Sequence, residues 1–146
     1  MRIDLWNRRI RTDFCFCSNT YTISEKMSDN KILIGKYREF FPERQDYPLM
    51  TESFEKSIYP GQGKIIYFLL HGKPGLLGMS SCYDVFTGER ICMTKMLMSY
   101  DIYEWWEELV HYVKNYNLRL PKDFETFILS VSIKEVYINY RKHQRD

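Results

Sequence analysis

The sequence predicts an α+β fold: a small antiparallel sheet, with its hairpin at about 76–98, packed against helices at about 104–116 and 121–129. Three observations carry this. Two short apolar runs, 76–83 and 90–98, flank Asp84-Val-Phe-Thr-Gly-Glu89, where Gly88 suits the positive φ of a hairpin turn. Trp105, Leu109, Tyr112, Val113 and Tyr116 recur at i, i+4, i+7, i+8 and i+11, one stripe of an amphipathic helix. Pro121 precedes Phe124, Phe127 and Ile128 as the first turn of a second helix.

The remaining elements follow in order. Residues 31–41 open on a β-branched run broken by Gly35 and closed by Pro42, a short strand or extended segment. Pro42, Asp46 and Pro48 make 42–52 a loop, and 53–59 a helical turn before Pro60-Gly-Gln-Gly63. Ile65, Phe68 and Leu69 sit at i, i+3 and i+4, so 64–71 is a short helix, with Gly72 as a left-handed C-terminal cap. Pro74-Gly75 turns the chain into the strand at 76–83. Asp101 and Glu104 have capping-box spacing at the start of the helix 104–116, and Glu104, Glu107 and Glu108 suit the positive end of its dipole. Residues 130–140 are a C-terminal strand or helical extension, running into a charged tail at 141–146.

The chain has 146 residues, a length for one domain that needs no metal or disulfide to fold. Of its 21 basic and 19 acidic residues, five and three lie in 1–26, which leaves 16 of each in the body. The basic excess therefore belongs to the N-terminal segment, and the neutral body excludes a general nucleic-acid binder. Residues 1–26 are expected to be an extension outside the fold, with 27–146 the domain. They lack the apolar core of an export signal, and Asp4 and Asp13 interrupt the pattern of a transit peptide. The longest apolar run, 65–70, is far short of the ~20 residues of a membrane span. A cytoplasmic protein with no membrane partner is the expectation. Cys15 and Cys17 form C-x-C, and Cys82 and Cys92 lie ten apart in a strand pair. No pair has zinc-knuckle spacing, and small core hydrophobes are the expected role of Cys82 and Cys92, with a cross-strand disulfide or a nucleophile as alternatives.

Little catalytic chemistry is written in the chain. His71 closes an apolar run as a cap or a partly buried ring. His111 follows Glu107 by four, a surface pair, but H-E-x-x-H is absent and no third ligand is indicated. The nucleophile elbow, Walker loop and dinucleotide fingerprint are absent, and 60–64 lacks phosphate-loop spacing. No catalytic residue, metal or cofactor is implied. Asp84, Glu89, Asp101 and His111 are the groups that a small hydrolase or nucleotide-handling enzyme would use. The denser signal is aromatic and acidic: Tyr100, Asp101, Tyr103, Glu104, Trp106, Glu107 and Glu108. With Trp105 turned inward, Trp106 lies about 100° round the expected helix and is hard to bury on the same face. Exposed aromatics bordered by carboxylates suit a protein interface with a basic partner.

Several segments together resemble a bacterial family. They are Ile34-Gly-Lys-Tyr-Arg-Glu-Phe-Phe, Lys64-Ile-Ile-x-Phe-Leu with Gly72, Asp84-Val-Phe-Thr-Gly-Glu89, the run from Trp105 to Val113, and Tyr116-Asn-Leu-x-Leu-Pro121-x-Asp-Phe124. Over about 32–129 the chain is similar to small α+β proteins that include candidate immunity proteins of toxin–immunity systems, such as contact-dependent inhibition. It departs where those proteins usually have an Asp-Gly turn before the tryptophan, having Tyr100-Asp101-Ile102-Tyr103. The resemblance implies a cytosolic, non-catalytic protein that binds and neutralises a toxin, a basic toxin domain if the segment 100–108 makes the contact. A homo-oligomeric module, dimerising through a hairpin edge such as 90–98, is the further alternative.

Overall fold

The computed structural model describes residues 30–145, so the expectation placed on 1–26 lies outside it. The chain forms two compact units, whose described residues are 30–32 with 36–49, and 33–35 with 50–145. In the first unit a loop is folded on itself. The Arg38 amide donates to the Pro48 carbonyl at 2.9 Å and its Nε to the Tyr47 carbonyl at 3.1 Å. Arg44 forks onto Asp46 at 3.0 and 2.9 Å and lies 4.4 Å from the centre of the Tyr47 ring.

Along the chain run β1 (Ile32–Ile34), a 3-10 turn (Met50–Ser53), α1 (Gln62–Leu70), β2 (Lys73–Leu77), β3 (Cys82–Tyr83) and β4 (Arg90–Cys92). Then come β5 (Met96–Tyr100), β6 (Tyr103–Trp106), α2 (Leu109–Tyr116), α3 (Lys122–Ser130) and α4 (Ile133–Gln144). A four-stranded sheet has the order β1-β6-β5-β2, and β3 and β4 form a separate antiparallel pair. The fold is α+β, a small sheet packed on helices.

The expected helix over 104–116 is divided. Its first part is strand β6, paired with β5 from Tyr100↔Tyr103 to Leu97↔Trp106, and the helix starts only at Leu109. Asp101 makes no helix cap; at φ 54 it takes the left-handed position of the two-residue turn between β5 and β6, which its short polar side chain tolerates. The alternation of β6 sends Tyr103 and Trp105 to one face, where both meet Phe124 of α3, at 4.7 and 5.8 Å between ring centres. Phe68 of α1 completes this cluster, 5.5 Å from Trp105.

Two other expectations differ from the structure, and the open choice for the C-terminal extension falls to a helix. Pro74 and Gly75 lie inside β2 rather than before a strand. β2 is an edge strand, where a missing amide costs no ladder bond. The strand expected over 76–83 breaks after Leu77 and resumes only as β3. The C-terminal extension is helix α4, capped by Ser132, whose Oγ accepts from the Glu135 amide at 3.1 Å. α1 and α3 stand where the periodicity places them, with Pro121 one position earlier than expected, at the N-cap.

Gly72 does not cap α1 through a left-handed backbone; His71 closes that helix, its Nδ1 donating to the Tyr67 carbonyl at 2.7 Å. The glycine is required by space instead. A Cβ there would lie 2.7 Å from Cζ2 of the fully buried Trp105 and 3.1 Å from the Ser99 carbonyl oxygen. Gly72→Ala is therefore expected to cost about 2 kcal/mol in a urea unfolding titration, the usual size of an overpacking penalty. An unchanged midpoint would show that Trp105 can move aside.

Candidate functional site

Asp84 heads the turn between β3 and β4, and its carboxylate is the best-satisfied polar group there. Although the residue is only 3% exposed, Oδ1 accepts from the Phe86 amide at 2.7 Å and the Thr87 amide at 3.1 Å. Oδ2 accepts from His111 Nε2 and from the Tyr116 hydroxyl, each at 2.7 Å. The two amide bonds follow from local sequence: an aspartate opening a turn bonds the amides two and three residues on. The other two come from α2, where His111 and Tyr116 project toward the turn. Burial pushes the Asp84 carboxyl up, but the bonds from His111, Tyr116 and the two amides prevail and hold its pKa at about 2. The same bond, with burial, pushes the Tyr116 phenol up to about 12.

The Asp84–His111 pair has the outline of an acid–base dyad, and its hydrogen bonds brace the turn against α2. An ionised carboxylate only accepts, so Nε2 carries the ring proton, and Nδ1 accepts from Asn115 Nδ2 at 3.1 Å. Both ring nitrogens are thereby committed, and among the described residues no hydroxyl or thiol shares them. The Tyr112 hydroxyl accepts from the Val85 amide at 3.0 Å, and Phe86 packs against Tyr116 and Phe54 at 5.3 and 5.6 Å. Of the four residues named for an enzyme, the structure brings together Asp84 and His111. Glu89 joins the turn through its carbonyl, which accepts from the Asp84 amide at 2.8 Å, with its side chain exposed. Asp101 is exposed in the β5–β6 turn. Glu107 does not pair with His111, because it lies before α2 begins. Among the described residues no group of histidine, cysteine, aspartate and glutamate is placed to hold a metal ion.

The aromatic and acidic residues of 100–108 do not form one exposed patch. Tyr103, Glu104 and Glu108 are buried, Tyr100, Trp106 and Glu107 half-buried, and Asp101 exposed. Tyr103 belongs to the core cluster, and the Tyr100 hydroxyl accepts from Asn139 of α4 at 3.1 Å. Lys95 Nζ donates to Glu108 at 3.2 Å and stands 5.0 Å from the centre of the Trp106 ring, so a cation already occupies the acidic face. Burial, and beyond it the Glu108 charge, push the Glu107 carboxyl up. Charge reversal at Glu104 or Glu108 would thus test folding before it tested any partner.

A different surface carries four of the six large apolar side chains that are more than half exposed among the described residues, Ile58 and Leu70 being the other two. Residues 77–83 and 90–96 run antiparallel as one ribbon. The Gly78 amide donates to the Lys95 carbonyl at 2.7 Å, the Lys95 amide to Ser80 at 3.3 Å, and Ser81 Oγ to the Met93 carbonyl at 2.8 Å. On it Met79 is 96% exposed, Met93 68%, Leu77 55% and Tyr83 52%. The signal was present in the sequence: 76–83 and 91–94 contain no charged residue. Cys82 and Cys92 stand directly opposite each other in this ribbon, Cα atoms 5.2 Å apart, and form a disulfide. They are not the free core thiols expected; the cross-strand disulfide is the alternative that the structure contains. Among the described residues no helix is long and apolar enough to cross a membrane.

No family model, curated protein or solved structure matches this chain. The resemblance to immunity proteins therefore stands on its own residues alone.

Proposed function

We propose that this protein is a non-catalytic binding module of the immunity type, which covers a toxin partner with the ribbon 77–83 and 90–96. One observation carries the reading: four large apolar side chains, each more than half exposed, stand on a ribbon whose segments 76–83 and 91–94 bear no charge. An exposed apolar surface of this kind marks an interaction site, and methionine side chains adapt to a partner's contours. The partner's contact face is accordingly apolar, and the basic toxin surface expected from 100–108 loses its motive with the burial of Glu104 and Glu108.

The test is association with a toxin encoded beside this protein, measured by titration calorimetry. Met79→Asp with Met93→Asp should weaken binding by about 100-fold or more, as loss of two central anchors does. Both side chains are exposed, so circular dichroism should not change. Undiminished binding by the double variant removes the ribbon from the interface. A concentration-dependent dimer that the same substitutions dissolve, with no toxin bound, would replace the immunity reading by a homo-oligomeric module.

A further inference from the structure

We infer that the Cys82–Cys92 disulfide is a redox-sensitive lock on the contact ribbon, so that a dithiol reductant loosens the ribbon and weakens partner binding; this rests on the reading of the ribbon as the contact face. β3 and β4 pair at two positions, Cys82↔Cys92 and Tyr83↔Arg90, and they stand outside the four-stranded sheet. So short a two-stranded ribbon has no independent stability. Its ties include the hydrogen bonds of the Asp84 carboxylate at the turn, the backbone hydrogen bonds joining Gly78 and Ser80 to Lys95, the bond from Ser81 to Met93, and the disulfide. The disulfide is the covalent one, and the ring it closes contains the whole Asp84 turn.

Its sulfurs differ in access, since Cys82 is buried and Cys92 half-buried. A thiolate of the dithiol attacks Cys92 Sγ, the bond between the two sulfurs breaks, and Cys82 leaves as a thiolate that takes up a proton. The second sulfur of the dithiol then displaces Cys92 and closes the reductant's own disulfide. The dithiol loses two electrons and the protein's cystine gains them. Once open, the ribbon keeps its hydrogen-bonded ties but loses the constraint on its unfolded conformations. Helices α2 and α3 are tied to the core by their own buried residues, Tyr112, Val113, Phe124 and Ile128, so the loosening stays local.

The experiment uses the full chain, untreated and after dithiothreitol, with hydrogen exchange read by mass spectrometry. Untreated protein should leave Cys82 and Cys92 closed to alkylation. Reduction should raise amide exchange over 77–95 by about 100-fold while α2 and α3 keep their protection. Affinity for the adjacent toxin should fall in step. The Cys82→Ser/Cys92→Ser variant should behave as reduced with or without the reagent; if it does not fold, reduction of the native chain still decides. Free thiols at Cys82 and Cys92 in untreated protein, exchange unmoved by reduction, or exchange rising equally in α2 and α3 would each overturn the lock. So would partner affinity indifferent to reduction. The Met79→Asp/Met93→Asp variant, kept oxidised, separates the two claims: its loss of binding upholds the contact face even where the lock fails.

Discussion

Asp84→Ala is expected to lower the free energy of unfolding by about 4 kcal/mol, read from urea denaturation at neutral pH. The substitution removes the acceptor of four donors: the Phe86 and Thr87 amides, His111 Nε2 and the Tyr116 hydroxyl. Leaving partly buried donors unsatisfied costs more than the hydrogen bonds contribute net, because their desolvation is then uncompensated. Asp84→Asn should cost about half as much, since its carbonyl still serves the amides and the phenol can turn to donate elsewhere. The pH dependence has a definite sign. The folded pKa of about 2 lies below the ordinary 3.8, so the carboxylate's contribution is complete above about pH 4 and is lost as pH falls toward 2. Wild-type stability should drop across that window, and the drop should be shallower in Asp84→Asn. Equal acid profiles for the two proteins would mean that the carboxylate does not brace the turn.

Trp105→Ala should cost about 4 kcal/mol, whereas Trp106→Ala should cost about 1 kcal/mol or less. The neighbours carry the same ring on opposite faces of β6. Trp105 is fully buried among Phe68 and Phe124, with its indole Nε1 donating to the Leu69 carbonyl at 3.2 Å. Trp106 is half-buried, with the Lys95 ammonium 5.0 Å from the centre of its ring. Thermal unfolding of the two variants checks the ordering. Similar losses would show that the two faces of β6 are equally packed.

The Trp105–Trp106 pair also shows where sequence reasoning reached and where it stopped. That Trp105 turns inward and Trp106 does not was legible from either a helical or a strand period. Which period applied was not: Trp105 begins a 3.6-residue stripe with Leu109, and it also alternates with Tyr103. The pairing of β6 with β5 decides for the strand, and that pairing is held by contacts with α1 and α3 that no local window contains. The misplaced helix start explains why the residues of 100–108 do not form one exposed patch. On a helix from 104, Glu104, Glu107 and Glu108 would face solvent; on a strand and tight turn, Glu104 and Glu108 are buried and Lys95 reaches Glu108.

The sequence by itself determined the α+β class, α1, the turn at 84–89 and the second helix after Pro121, because each rests on nearest-neighbour physics: periodicity, positive φ at Gly88, a proline before a helix. It also named Asp84 and His111, 27 positions apart, as residues with chemical potential. Only the tertiary structure decided what they do. By bringing α2 beside the turn it spent both ring nitrogens of His111 on structure, and by setting Cys82 opposite Cys92 it made a covalent tie of two expected core residues. Cross-strand register and the direction of a helix face are non-local, set by how the whole apolar core closes, and that is why residues 104–106 form a strand with Glu104 buried rather than the start of an exposed acidic helix.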